Sequence, residues 1–263
     1  SDLPNSSTTH NPVKSATMSK RAAEDAPEVE VEVTKKPFDA EATNGNGTHA
    51  IAEDAKAADA HAEAAATAKP VLYHSKHACS TRPMVVIHEL GIADKFDVKV
   101  LEMADLKKDD FLAVNPHGTV PALKTASGKL LIESGAIALH LAETYGGADH
   151  ALLGTPENRA EMLQWMFYAP ATLYPLMLTS YNGDDDAKEK AKTRCVTVNL
   201  PYIRDQLADK TFILGDTFTL ADVYLAYELW GMRYLKWTEN FPTLEAYVQR
   251  IVDRPAWATV AAL

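Results

Sequence analysis

Three stretches of this chain carry groups that could do chemistry together. The first is residues 115–123, NPHGTVPAL, with Glu133-Ser134 ten residues beyond. Val120-Pro121 stands where a strand is expected, because apolar residues flank it and the run Leu130-Leu131-Ile132 follows a Ser127-Gly128 turn. Proline cannot donate to a sheet ladder, so it marks an edge, a bulge or a cis turn. A cis bond there would turn the Val120 N–H and C=O outward, toward a peptide-like partner. Glu133 and Ser134 precede an apolar helical run over 135–145, where hydroxyl and backbone donors favour a carboxylate. A docking edge beside an anion-binding helix start suits a small acidic peptide.

The second stretch is Cys79-Ser80, in a turn that enters a helix predicted over 80–90. The positive end of that helix favours a thiolate at Cys79, so the residue is a candidate nucleophile; an unpaired cysteine also serves as a small buried hydrophobe. Ser80 is the rival, either as a hydroxyl that stabilises a substrate thiolate or as a plain helix N-cap. His77 could add positive charge near the sulfur or simply face solvent. Tyr73 is read as a strand residue pointing into the sheet, Cys195 as core, and Arg82 is given no role. His74, His88 and His117 have no metal-ligand spacing with another His or Cys, so no metal is inferred. The third stretch holds Trp165, Phe167, Tyr168, Tyr174 and Tyr181. Such a series either fills a core or lines an apolar pocket; Tyr168 or Tyr174 is expected to reach a second-substrate site.

The elements that must position these groups follow from period and punctuation. Val71 to His74 reads as a strand, residues 80–90 as a helix stopped by Gly91, and Phe96, Val98 and Val100 as an alternating strand. A short helix is predicted over 108–114, then the Pro121 strand, the 130–132 strand and the 135–145 helix. From Gly146-Gly147 onward the pattern is helical throughout. Thr155-Pro156-Glu157 predicts a helix start, and the helix is expected to run toward Tyr181 with interruptions at Pro170 and Pro175. A second helix is expected over 184–207, bent near Pro201. Thr219-Leu220-Ala221-Asp222 is a capping signal for a helix through Tyr234, and Phe241-Pro242 precedes a last helix pair.

Composition separates a tail from this region. Residues 1–69 contain one aromatic, Phe38, of the 21 in the chain, which makes a disordered acidic tail the expectation. Eleven of the 19 residues over 50–68 are alanine, enough for transient helix but without a stripe of large apolar residues. The tail carries 7 Lys/Arg against 12 Asp/Glu, half of the net −10, so phosphate-dominated nucleic-acid binding is disfavoured. No apolar run reaches the roughly 18 residues of a membrane span. Two cysteines, 116 positions apart, argue against a disulfide framework and favour a reducing compartment such as the cytoplasm. The chain opens with Ser1, so a removed targeting segment stays open, and Met18 is a candidate initiator.

LYHSKHACSTRP, FLAVNPHGTVPAL, ESGAIALHLAE and FTLADVYLAYEL stand in an order and at separations that resemble the cytosolic-type glutathione transferases over about residues 70–260. The resemblance implies a thioredoxin-like βαβββα domain over 70–146 that binds glutathione, followed by an all-helical domain over 155–263. It implies that the Val120 backbone, beside cis-Pro121, pairs with the cysteinyl part of glutathione, and that Glu133 and Ser134 hold the γ-glutamyl end. His117, Lys107 and Lys108 are candidates for the glycyl carboxylate, and Thr119 stands where some members carry Lys or Gln. Around Cys79 the pattern is similar to the bacterial beta class, whose cysteine contacts the glutathione sulfur and supports a mixed disulfide. The serine of the serine-type classes falls on His77, and a beta-class histidine falls near Tyr174.

The implied activity is conjugation of glutathione to a small hydrophobic electrophile, as in detoxification, or glutathione-dependent thiol transfer, in a homodimer. Two alternatives share the likeness. One is a non-catalytic binding or regulatory protein, which the acidic tail favours and the intact Cys79 and Glu133-Ser134 disfavour. The other is a glutathione-dependent isomerase or dehalogenase with the same first site and a different second pocket.

Overall fold

The computed structural model describes residues 69–147 and 150–263, so the expected tail and its transient helix lie outside the described residues. The first half builds β1 (Val71–His74), α1 (Thr81–Glu89), β2 (Asp97–Val100), α2 (Asp109–Leu112), β3 (Ala122–Lys124), β4 (Leu130–Ile132) and α3 (Ser134–Leu141). The sheet order is β2-β1-β3-β4, with β1 parallel to β2 and the other two pairs antiparallel. This is the expected βαβββα unit of thioredoxin type.

Alternation along the strands decides which face each side chain serves. Leu72 and Leu123, paired across β1 and β3, face α1 and α3 and join Met84, Ile87, Ile137 and Leu141 in the main core. Their neighbours Tyr73 and Ala122 face the other way, under Leu106 and Phe111. Tyr73 is thus the strand residue its position predicted. β2 departs from the simple alternating picture: Phe96, just before it, is buried, but Val98 and Val100 are exposed. The strand is the open edge of the sheet, and its four residues are all solvent-facing in this chain.

The second half is helical: α4 (Arg159–Tyr168), α5 (Tyr174–Asn182), α6 (Asp185–Arg194), α7 (Leu200–Leu207), α8 (Leu220–Tyr234), α9 (Pro242–Val252) and α10 (Pro255–Ala262). π-helical turns at Ala169–Leu173 and Cys195–Asn199 carry the chain past Pro170, Pro175 and Pro201 without stopping the helical path. The start of α4 is later than expected. Asn158 Oδ1 accepts from the Thr155 N–H at 2.7 Å and closes a turn over 155–158, so the helix begins at Arg159.

α8 is the axis of this half, with eleven buried residues, each large apolar one contributing about 1.5–3 kcal/mol. Its capping box is present, and Asp222 is fully buried. Asp222 accepts from the Ile213 N–H and the Tyr247 hydroxyl on Oδ1, and from the Thr219 N–H on Oδ2, each at 2.8 Å. α8 and α10 also pack on α1, and one apolar core runs from the sheet into the helices. Arg254, just before α10, clamps Glu89 on α1 with two bonds of 2.7 and 2.6 Å. Cys195 lies in this core, touching Met232, and burial pushes its thiol up to about 12.

Candidate functional site

Where α1, the 115–121 loop and α3 meet α5 and α8, a cavity of about 1190 Å³ opens. Its walls differ in chemistry. The sheet-side wall carries Lys76, His77, Arg82, Lys107 and His117 against a single acid, Glu133. With Arg82 paired to Glu228, Lys76 and Lys107 outnumber Glu133, and in a chain of net charge −10 this local positive balance favours an acidic ligand. The helical wall carries Pro170, Tyr174, Met177, Leu178, Tyr181, Tyr227, Trp230 and Tyr234, with no charged side chain.

The backbone at Val120 is open to the cavity. The Val120–Pro121 bond is cis, and Val120 lines the cavity with neither its N–H nor its C=O in a hydrogen bond among the described residues. The loop before it is held from inside. Asn115, fully buried, donates from Nδ2 to the Thr119 carbonyl at 2.8 Å and accepts the His117 N–H at 3.2 Å. Lys107 donates to the Gly118 carbonyl at 3.2 Å. Gly118 is required here: its φ is +59°, and a Cβ would stand 2.7 Å from the Leu106 carbonyl oxygen.

Across from this edge, Glu133 adopts φ 68° and ψ 115°, a conformation costing a non-glycine residue about 1–3 kcal/mol, and Ser134 begins α3. Both line the cavity, as do His117 and Lys107.

Cys79 sits half-buried in the cavity wall, two residues before the first turn of α1, as a free thiol. Facing it is Tyr174. Burial, and after it the adjacent Cys79 sulfur, pushes the Tyr174 phenol up to about 12. The phenol therefore keeps its proton at neutral pH and is a donor beside the thiol. Tyr227 fixes the same turn from the helical side by donating to the His77 carbonyl at 2.8 Å, and burial raises its phenol well above the usual range. His77, at φ 60°, packs against Trp230 with ring centroids 5.6 Å apart.

Two predicted residues are not brought into the cavity. Ser80 is fully buried, and its hydroxyl is taken up by His74 Nδ1 at 2.8 Å, the Ser75 N–H at 3.1 Å and the Ser75 carbonyl at 3.3 Å. It makes no side-chain cap to α1 either, so it is neither a hydroxyl facing substrate nor the conventional N-cap. Tyr168 points away, accepting from Asn199 Nδ2 at 2.7 Å and packing on Trp165 and Tyr202. Its place in the helix turns it to the α7 side, one π-helical turn from Tyr174.

Sequence reasoning missed the α8 wall and the Arg82 pair. Tyr227, Trp230 and Tyr234 recur at helical spacing and stand on the cavity side of α8. Arg82, 1% exposed, is ion-paired with Glu228 of α8, itself fully buried. An acid inside an otherwise apolar helix was the available signal, because a buried charge requires a partner. Among the described residues no three His, Cys, Asp or Glu side chains group as a metal site would need, and no helix is long and apolar enough to cross a membrane.

Two family models match this chain: the N-terminal domain of glutathione S-transferases over residues 78–144 and the C-terminal domain over 164–255. Glutathione S-transferase GstA of Escherichia coli O157:H7 is 30% identical over 193 residues, which are 70% of this chain and 93% of that protein. Two solved structures resemble the fold at high coverage. A sphingomonad glutathione S-transferase complexed with glutathione superposes with a TM-score of 0.64 and 29% identity over 73% of this chain and 97% of its own. The beta-class enzyme of Sphingomonas chungbukensis gives 0.61 and 32% over the same shares.

Proposed function

We infer that this chain, which belongs to the glutathione S-transferase family, binds glutathione as co-substrate along the sheet-side wall and presents its sulfur to a small apolar electrophile on the helical wall. The observation that carries this reading is the position of Cys79, between a backbone docking edge at Val120 and an uncharged aromatic wall, in one cavity. The Val120 backbone would pair with the cysteinyl unit, Glu133 and Ser134 would hold the γ-glutamyl end, and Lys107 or His117 would meet the glycyl carboxylate. Held this way, the sulfur lies at the positive end of α1 and meets the Tyr174 phenol, a donor that favours a thiolate. The electrophile would stack among Tyr174, Tyr181, Trp230 and Tyr234, replacing a bimolecular encounter with a positioned one.

Thiol transfer is the second reading, favoured by the free Cys79 thiol in the wall. The Cys79 thiolate would attack the glutathionyl sulfur of a mixed disulfide and expel the other thiol. A glutathione thiolate would then attack the resulting Cys79–glutathione disulfide, releasing oxidised glutathione and restoring Cys79. A homodimer and a cytoplasmic location complete the reading on family likeness alone; sedimentation equilibrium tests the dimer.

Assaying wild type and Cys79→Ala with an aryl halide and with a glutathione mixed disulfide separates these chemistries. We expect Cys79→Ala to abolish disulfide reduction and to lower conjugation. If the variant keeps both activities, Cys79 has no part in catalysis.

A further inference from the structure

Arg82 lines the cavity although its side chain is almost sealed from solvent. A guanidinium so placed needs an opposite charge and hydrogen-bond acceptors. Glu228, from α8, supplies the charge to one arm. The other arm, Nη1, donates to Ser134 Oγ at 3.4 Å. The rings of Tyr227 and Tyr224 lie 4.2 and 5.1 Å from the guanidinium carbon and confine it.

Arginine has donors only, so its bond to Ser134 occupies a lone pair of Oγ and leaves the Ser134 hydroxyl proton to be given elsewhere. Ser134 opens α3 and lines the cavity, which makes an anion there the natural acceptor. The surroundings are polar beyond what the chain satisfies. Arg82 Nε and Glu228 Oε2 are buried without a partner among the described residues, and the Tyr224 hydroxyl stands beside Ser134.

We propose that Glu228 is a positioning residue for glutathione recognition: it fixes Arg82, and Arg82 in turn orients the Ser134 hydroxyl as a donor to the γ-glutamyl carboxylate. The inference rests on the reading that Ser134 meets that end of glutathione. It makes the helical half a determinant of affinity for a ligand otherwise held by the sheet half.

The test compares glutathione with its analogue carrying γ-aminobutyrate in place of γ-glutamate, which lacks only the carboxylate in question. Calorimetric titrations would use the full chain as wild type, Glu228→Gln, Ser134→Ala and the double variant. Glu228→Gln should weaken glutathione binding about tenfold, the scale of one charge-assisted hydrogen bond, and leave the analogue within about twofold. In the Ser134→Ala background it should weaken glutathione no further. An equal loss for both ligands, no loss, or an additive loss in the double variant overturns the relay. Should Glu228→Gln fail to fold, Arg82→Lys keeps the charge opposite Glu228 but lacks the second arm to Ser134, and must show the same selective loss. Wild-type protein that binds neither ligand overturns the glutathione reading as well, whereas wild type that binds glutathione with an unselective variant overturns the relay alone.

Discussion

Ser80→Ala should cost stability rather than turnover. The Ser80 hydroxyl is bound by His74 Nδ1, the Ser75 N–H and the Ser75 carbonyl, all three residues being buried. Alanine keeps the carbon framework and removes the oxygen, so the Ser75 N–H and the imidazole nitrogen lose their partner inside the protein. Each orphaned buried group costs about 1–3 kcal/mol, which puts the loss at about 2–6 kcal/mol once both are counted. For a folded region of this size that corresponds to a fall of roughly 4–24 °C in the unfolding midpoint. Cys79 and Tyr174 are untouched, so kcat/KM with an aryl halide, measured well below the lowered midpoint, should stay within about fivefold, or roughly 1 kcal/mol of transition-state energy. Urea unfolding followed by tryptophan fluorescence, beside steady-state kinetics, reads both quantities. A catalytic hydroxyl predicts the reverse, with turnover falling on the order of a hundredfold and stability unmoved. That result would refute the placement of Ser80 in the turn.

Two further outcomes follow from the site and its support. Gly118→Ala adds a Cβ 2.7 Å from the Leu106 carbonyl oxygen at a φ of +59°, so the loop must shift. The left-handed conformation alone costs alanine about 1–2 kcal/mol, and displacement of Val120 should weaken glutathione binding about tenfold or more; unchanged calorimetric affinity would mean that the loop does not set the docking edge. His74 gives a pH dependence. Burial first, and His77 after it, hold its imidazole below the ordinary 6.5 against the opposing bond from Ser80. The folded state therefore takes up this proton less readily than the unfolded one, and the stability it contributes is present above 6.5 and lost as pH falls through the folded value. The unfolding free energy from urea titrations, followed from neutral to mildly acid pH, should fall at up to about 1.4 kcal/mol per pH unit. His74→Gln should flatten that slope in part, since burial lowers His88 as well; an identical slope would exclude His74 as its source.

Local chemistry made several elements legible before any contact was known. Pro121 cannot donate to a ladder, and the chain meets that constraint with a cis bond at the edge of β3. Thr219 and Asp222 stand at capping-box spacing, and the box forms. Cys79 lies at a helix entrance because Gly91 and the strand before it bracket α1 in sequence. Each of these depends on neighbours within a few residues. The misreadings share the opposite property. Ser80 and Tyr168 have the right types for chemistry, but their direction depends on partners six and thirty-one residues away, His74 and Asn199. The late start of α4 came from a competing side-chain bond at Asn158, which propensity does not weigh.

By itself, then, the sequence determined the order of elements, the cis-proline edge at Val120, the place of the pair Glu133-Ser134 and a cysteine at a helix start, since all are written in short-range spacing. Tertiary structure decided what faces that cysteine. Tyr174, Tyr227 and Trp230 share its cavity because α8 packs on α1 and a π-helical turn leads the chain into α5 beside it. It also joined Arg82 to Glu228, 146 positions apart. A buried charge needs a counter-charge, but only the packing of two lobes determines which one it meets.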